Sequence, residues 1–183
     1  LRAKPVFVDI DRVTYNIDPS KIEDKITPKT KAIIPVSLYG QVADMDEINS
    51  IAKKHNLAVI EDAAQSFGAT YKGKKSCNLS TLACTSFFPA KPLGCYGDGG
   101  ALFTNNQKIY EIANSAHIHG MGKIKYQYDR IGMNARISTI QAAILLEKLE
   151  IFPSELEKRQ TVSENYNKCL KELNLGIILP VLK

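Results

Sequence analysis

Lys91 sits between Pro89 and Pro92, and Gly94, Gly97, Gly99 and Gly100 follow it closely. The prolines restrict the backbone on either side, while the glycines allow tight turns and close approach to a neighbour or ligand. A lysine in so stiff a stretch is expected to lose part of its hydration. Desolvation favours the neutral amine, the form that attacks carbonyl carbons. Two other polar residues precede it. Asp62 follows Glu61 at the end of the apolar run 57–60, and Ser86 interrupts the run of Leu82, Ala83, Phe87 and Phe88. Taken singly each has a plainer reading, Lys91 as a surface lysine on a turn and Asp62 as a helix cap. Their chemistry depends on what brings them together.

The elements between them supply that. Residues 5–10 (Pro-Val-Phe-Val-Asp-Ile) read as a short strand rich in β-formers, and a polar stretch with helical potential covers 19–26. Residues 31–38 form an apolar run, as expected for a strand covered on both faces. Asp44, with Glu47 three residues on, has a capping-box pattern, and Met45, Ile48, Ile51 and Ala52 give the helix it opens one apolar face. Asn56 reads as its C-cap, and 57–60 as the next strand. Strand–helix–strand alternation predicts parallel pairing through right-handed crossovers, hence an α/β sandwich. Such sheets bind ligands at the carboxyl ends of their strands, where Asp62 and Ser86 fall, with Lys91 just beyond. Glu61 faces the opposite side and is left out of the site. Residues 99–104 read as a strand that returns too soon for a helical crossover, so it is expected to be antiparallel.

Further along, 106–116 reads as a helix with Ile109, Ile112 and Ala113 on one face, and 120–130 as a mobile polar loop. Ser138 and Gln141 form a second capping box, opening a helix over 139–150. Pro153 suits the first turn of another helix, whose Leu156, Val162, Tyr166, Leu170 and Leu173 recur at helical spacing. Ile177-Ile-Leu-Pro reads as the start of one more strand.

Composition narrows the classes. The 183 residues suit one large domain, or one domain and part of another. The net charge is +5, but the basic residues are scattered singly, which argues against a nucleic-acid stripe. No apolar run approaches the roughly 18 residues that a membrane helix needs, and no signal-peptide pattern opens the sequence. The first residue is Leu1 rather than Met, so a fragment is expected. Cys77, Cys84, Cys95 and Cys169 form no C-x-x-C pair, which argues against zinc and for a reducing, cytoplasmic compartment. His117 and His119 have no acidic or cysteine partner nearby, so no metal site is expected.

A lysine with a carboxylate and a hydroxyl at one sheet edge suits pyridoxal phosphate. The lysine would form the Schiff base, and the carboxylate would keep the pyridine nitrogen protonated so that the ring acts as an electron sink. Four ordered motifs carry a resemblance. They are Val59-Ile-Glu-Asp-Ala-Ala-Gln-Ser-Phe-Gly-Ala69, Ser86-Phe-Phe-Pro-Ala-Lys-Pro-Leu-Gly94, Gly97-Asp-Gly-Gly-Ala101 and Gly132-Met-Asn-Ala-Arg-Ile-Ser-Thr-Ile-Gln-Ala-Ala143. Together they resemble the DegT/DnrJ/EryC1/StrS aminotransferases over essentially the whole sequence.

That resemblance implies a three-layer α/β/α fold of the fold-type I pyridoxal-phosphate enzymes. Residues 1–150 would be the second part of the large domain, with a mostly parallel sheet, and 151–183 a linking helix and the start of the small domain. It implies Lys91 as the Schiff-base lysine and proton shuttle and Asp62 as the partner of the pyridine nitrogen. Gln65 would lie near the phenolic oxygen of the cofactor, and Ser86 would hold its phosphate. Asn134 resembles the asparagine that reaches the cofactor phosphate of the other subunit, hence a homodimer with shared sites; Arg136 would brace that loop or touch ligand. Relatives that dehydrate sugars at C3 carry histidine where this sequence has Lys91, so transamination is implied. The run from Phe87 to Gly100 most resembles the branch acting on UDP-2-acetamido-2-deoxy-hex-3-uluronate, with glutamate as donor and pyridoxamine phosphate between the two half-reactions, in surface-polysaccharide synthesis.

The resemblance also implies segments outside this sequence. One is an N-terminal part with a Gly-Thr phosphate contact and a ring-stacking aromatic, and another is most of the small domain. Alternatives therefore stay open: Gln65 could satisfy backbone, Asn134 could be a turn residue, and the whole could be a non-catalytic scaffold or regulatory homologue that keeps the fold. A nicotinamide-binding domain fits less well, since no G-x-G-x-x-G lies between a strand and a helix.

Overall fold

The computed structural model describes residues 2–173 and 175–182. Its central sheet has four strands: β1 (Ala32–Ile33), β2 (Ala58–Asp62), β5 (Leu82–Ser86) and β6 (Gly100–Phe103), in the order β1-β2-β5-β6. β1, β2 and β5 are parallel, and β6 returns antiparallel beside β5. A small hairpin, β3 (Thr70–Tyr71) with β4 (Lys74–Lys75), stands between β2 and β5 in the chain.

Helix α1 (Met45–Lys54) makes the crossover from β1 to β2. Its apolar stripe, Met45, Ile48 and Ala52, is buried against Ile22, Ile33 and Val59 in the larger core cluster. Removing that apolar surface from water is what fixes the helix on this face of the sheet. The expected capping box does not form: the Asp44 side chain makes no capping hydrogen bond. Asn56 lies just past the C-cap His55 with φ of 51°, the left-handed conformation common after a helix end.

Three expected elements are absent or shorter than their composition suggests. Residues 5–9 form no strand, and only Ile10 makes an isolated bridge, with Ile17. Val6 and Phe7 are 60% and 85% exposed, so among the described residues this segment has no sheet neighbour to hold it extended. The run 31–38 narrows to Ala32–Ile33 because Pro35 has no N–H for the ladder. Pairing resumes beyond it, where Asp62 N–H donates to Pro35 O (2.9 Å) and Ser37 N–H to Asp62 O (3.0 Å). The predicted helix at 19–26 is two short 3-10 turns, the first capped by Asp18 with Pro19 at its first position.

Helix α2 (Gln107–Ala116) is capped by the Asn106 side chain. The segment 120–130 folds back on itself, with Gly122 N–H on Gln127 O (2.8 Å) and Asp129 N–H on Gly120 O (2.9 Å). Helix α3 is a single helix, Thr139–Glu172, where the sequence predicts two. Pro153 lies inside it rather than at a start. The helix continues because Phe152 and Leu156, on either side of the proline, pack into one cluster with Phe67, Phe87, Leu93 and Cys95. Gly68, at φ of 93°, has no Cβ where one would meet Leu156 Cδ1 at 2.7 Å and Phe152 Cε1 at 2.8 Å. Residues 175–182 include no strand, so the expected strand at 177–180 is absent. No helix among the described residues is long and apolar enough to cross a membrane.

Candidate active site

β2 and β5 end side by side. Asp62 is in register with Cys84, and Ser86 lies two residues further along β5. Ala63 N–H donates to Cys84 O (2.8 Å) and Thr85 Oγ1 to Ala63 O (3.1 Å), which ties the two strand ends together. Side chains alternate across the sheet. Val59, Glu61, Ala83 and Thr85 are buried on the face that carries α1 and α3. Asp62, Cys84 and Ser86 share the other face, where Asp62 and Ser86 are half-buried.

Each polar group there is oriented by backbone. Asp62 Oδ1 accepts Ala64 N–H (3.1 Å), an Asx turn that carries the chain from the strand into the Ala63–Ser66 turn. Gln65 Oε1 accepts Tyr39 N–H (3.1 Å), reaching across to the segment after β1, where Tyr39 is left-handed at φ of 55°. Its carbonyl is thus engaged, and the amide nitrogen is the end suited to donate to a ligand. Ser86 Oγ accepts Phe88 N–H (3.2 Å), so the hydroxyl proton is what Ser86 can give.

Lys91 is half-buried in the turn that follows, and its own N–H donates to Phe88 O (2.9 Å). Cys95 N–H on Phe87 O and Phe87 N–H on Gly99 O, both 2.8 Å, close the base of that turn. A Cβ at Gly94 would lie 2.6 Å from Pro89 O, so only glycine lets the two limbs approach. Asn134 stands on a separate, exposed segment bridged to Ile118 after α2, and its Oδ1 accepts Arg136 Nε–H (3.0 Å). The sheet edge thus gathers Asp62, Gln65, Ser86 and the Lys91 turn, but not Asn134.

Three neighbours escape the sequence reading. Cys84 shares the face of Asp62 and Ser86, and strand alternation alone could have found it. Burial, and then the Asp62 carboxylate, push its thiol up. Gln141 Oε1 accepts Tyr96 N–H (2.7 Å), and Lys148 Nζ donates to Gly94 O, so α3 grips the limb behind Lys91. Local sequence carries no signal for those two. On the opposite face Glu61 is fully buried, its carboxylate accepting the Ser76 hydroxyl (2.8 Å) and Cys77 N–H (3.0 Å). Among the described residues no group of three or more His, Cys, Asp or Glu is placed to hold a metal ion.

The donor set fits pyridoxal phosphate. It offers a carboxylate for a ring nitrogen, a hydroxyl with its proton to give to a phosphate, and an amine on a stiff turn beside them. A mostly parallel α/β sheet with that edge is part of the α/β fold of the pyridoxal-phosphate aminotransferases. The chain belongs to the DegT/DnrJ/EryC1/StrS aminotransferase family, whose sequence profile matches residues 1–183.

Among its relatives, the UDP-2-acetamido-2-deoxy-3-oxo-D-glucuronate aminotransferase of Pseudomonas aeruginosa is 61% identical over 96% of this chain and 49% of its own length. A DegT DnrJ EryC1 StrS aminotransferase from Brucella abortus superposes with a TM-score of 0.91 at 43% identity, over 99% of this chain and 50% of that one. A Bacillus subtilis protein solved with bound cofactor PMP gives a TM-score of 0.89 at 39% identity, over 98% of this chain and 41% of that one. The chain therefore spans about half the length of the relatives it matches.

Proposed function

We propose that the protein carrying this chain is a pyridoxal-phosphate-dependent aminotransferase. It moves an amino group from glutamate to a nucleotide-linked keto-sugar, with UDP-2-acetamido-2-deoxy-3-oxo-glucuronate as the preferred acceptor. Its place would be the cytoplasmic synthesis of a surface polysaccharide such as an O-antigen. The observation that carries the reading is that Asp62 and Ser86 share one face at the ends of adjacent parallel strands, with the Lys91 turn leaving directly from Ser86. The 61% identity to a UDP-sugar aminotransferase supports the choice of acceptor.

When bound, pyridoxal phosphate supplies the carbonyl that takes up the amino group and the ring that holds the electron pair released when a carbon–hydrogen bond breaks. The chain's own residues do the rest. The Lys91 amine would take the α-proton of glutamate and return a proton to the sugar carbon that becomes aminated. Asp62 holds a proton on the ring nitrogen with its carboxylate, Gln65 donates from its amide nitrogen to the phenolic oxygen, and Ser86 donates its hydroxyl to the phosphate. Asn134 completes the phosphate contact of a second copy in a homodimer. We assign 1–150 to the second part of the large domain and 151–183 to a linking helix and the start of the small domain; α3 runs unbroken through that boundary.

The test is isotopic. The protein at its full natural length, given [15N]glutamate, pyridoxal phosphate and the UDP-linked 3-oxo-glucuronate, is expected to place the label on the sugar, with one 2-oxoglutarate formed per transfer. Transfer to a different nucleotide sugar would correct the acceptor alone. No transfer to any keto-sugar would leave a non-catalytic scaffold.

A further inference from the structure

We propose that Gln141 and Lys148 are positioning residues for the lysine turn. From α3 they hold the segment 94–97, and through it they set where the Lys91 amine stands against the edge formed by Asp62 and Ser86. The proposal rests on the aminotransferase reading above.

The turn leaves the sheet at Ser86 and rejoins it at Gly100. Its base is closed by backbone bonds, and the Cys95 thiol adds contacts to Phe87 O (3.0 Å) and Gly97 O (3.1 Å). Two polar backbone groups on the returning limb are met from α3 instead. Gly94 O takes the Lys148 ammonium, and Tyr96 N–H takes Gln141 Oε1 at 2.7 Å. The same ammonium lies 5.6 Å from the Tyr96 ring centroid, a cation–π distance. The Gln141 amide also lies over Gly97, where a Cβ would meet Nε2 at 3.2 Å.

These contacts come from one stripe of the helix. Gln141, Leu145, Lys148 and Phe152 recur at helical spacing and so share a face. Leu145 and Phe152 are packed in the cluster with Phe87, Leu93 and Cys95, which anchors the helix, while Gln141 and Lys148 reach the turn from between them. Only Pro92 and the buried Leu93 separate Lys91 from Gly94. With the proline fixed in φ, a shift of Gly94–Tyr96 passes to Lys91 rather than being absorbed.

Loss of a single hydrogen bond costs little stability at the exposed Tyr96 and more at the buried Gly94, in neither case enough to unfold the protein. Yet a displacement of about 1 Å in a reacting group can cost about a hundredfold in rate. The expected signature is therefore a protein that folds normally and holds its lysine badly.

Two measurements on the full-length protein test this. In the protein without cofactor, amide hydrogen exchange at Tyr96 is expected to be about tenfold faster in Gln141→Leu, with the amides of β2 unchanged. In the protein given pyridoxal phosphate, Gln141→Leu and Lys148→Met are expected to shift the pH midpoint of the visible band and to slow borohydride fixation on Lys91 about tenfold. Gln141→Glu, which keeps an oxygen acceptor, and Lys148→Arg, which keeps the charge, are expected to restore both. Folded Gln141→Leu and Lys148→Met variants that match the wild type in exchange, midpoint and fixation rate would overturn the proposal. Should the wild type itself fix no cofactor, the aminotransferase reading fails, and unchanged Tyr96 exchange in Gln141→Leu would then overturn the clamp separately.

Discussion

Asp62 and Ser86 stand on adjacent parallel strands and share a face, because Asp62 is in register with Cys84 and Ser86 is two residues beyond it. One carboxylate and one hydroxyl are thereby fixed by hydrogen-bonded strands of the central sheet rather than by a loop. The buried alternates Glu61 and Thr85 hold the opposite face to the core. The arrangement separates a polar working face from a packed one within a few residues of each strand.

Asp62→Asn isolates the electrostatic role. Asparagine keeps an oxygen for Ala64 N–H, so stability is expected to change by no more than about 0.5 kcal/mol. It carries no charge to hold a proton on a ring nitrogen. Amino transfer is expected to fall about a hundredfold or more, while borohydride still fixes pyridoxal phosphate on Lys91. Steady-state transfer rates alongside labelling check both, and an unimpaired rate would remove Asp62 from the chemistry.

Glu61 makes stability depend on pH. Burial raises its carboxyl above the ordinary 4.5, against the lowering effect of its bonds to Ser76 and Cys77. The folded state therefore holds the proton more tightly than the unfolded one. From pH 4.5 up to the raised folded value, the folded protein binds more protons, and stability falls as pH rises. Glu61→Gln does not titrate, so the wild type is expected to lose stability relative to it across that window. Urea denaturation of both at a series of pH values measures the gap; a gap that stays constant would refute the assignment.

Phe152 joins the long helix to the sheet. It is 4% exposed, and its ring centroid lies 5.8 Å from that of Phe67. Phe152→Ala is expected to cost about 3–5 kcal/mol, and Phe152→Leu distinctly less, in denaturant melts. A cost below about 1 kcal/mol for the alanine variant would mean that α3 is not anchored there.

Much of the site was legible because short-range rules decide it. Alternation along a strand separates Asp62 from Glu61, and the short return from Lys91 to Gly100 requires the antiparallel pairing observed. The errors lie where distant contacts override local preference. Pro153 suits a helix start by propensity, yet Phe152 and Leu156 bind both of its sides to one core. Ser138 does cap α3, accepting Gln141 N–H at 3.4 Å, but the Gln141 side chain turns to Tyr96 instead of back to the cap. Residues 5–9 have the composition of a strand, but a strand also needs a neighbour, which propensity does not specify. Asn134 matches a motif whose implied role lies toward a second copy; within this chain its side chain accepts from Arg136 on its own segment.

The central claim is that Lys91 is the amine that holds pyridoxal phosphate. The most direct measurement adds the cofactor to the full-length protein, reduces it with borohydride and maps the label, with Lys91→Ala alongside. The account predicts a visible absorption band before reduction and a stable adduct on Lys91, both missing from the variant. An adduct on another lysine, or no band in the wild type, would contradict it.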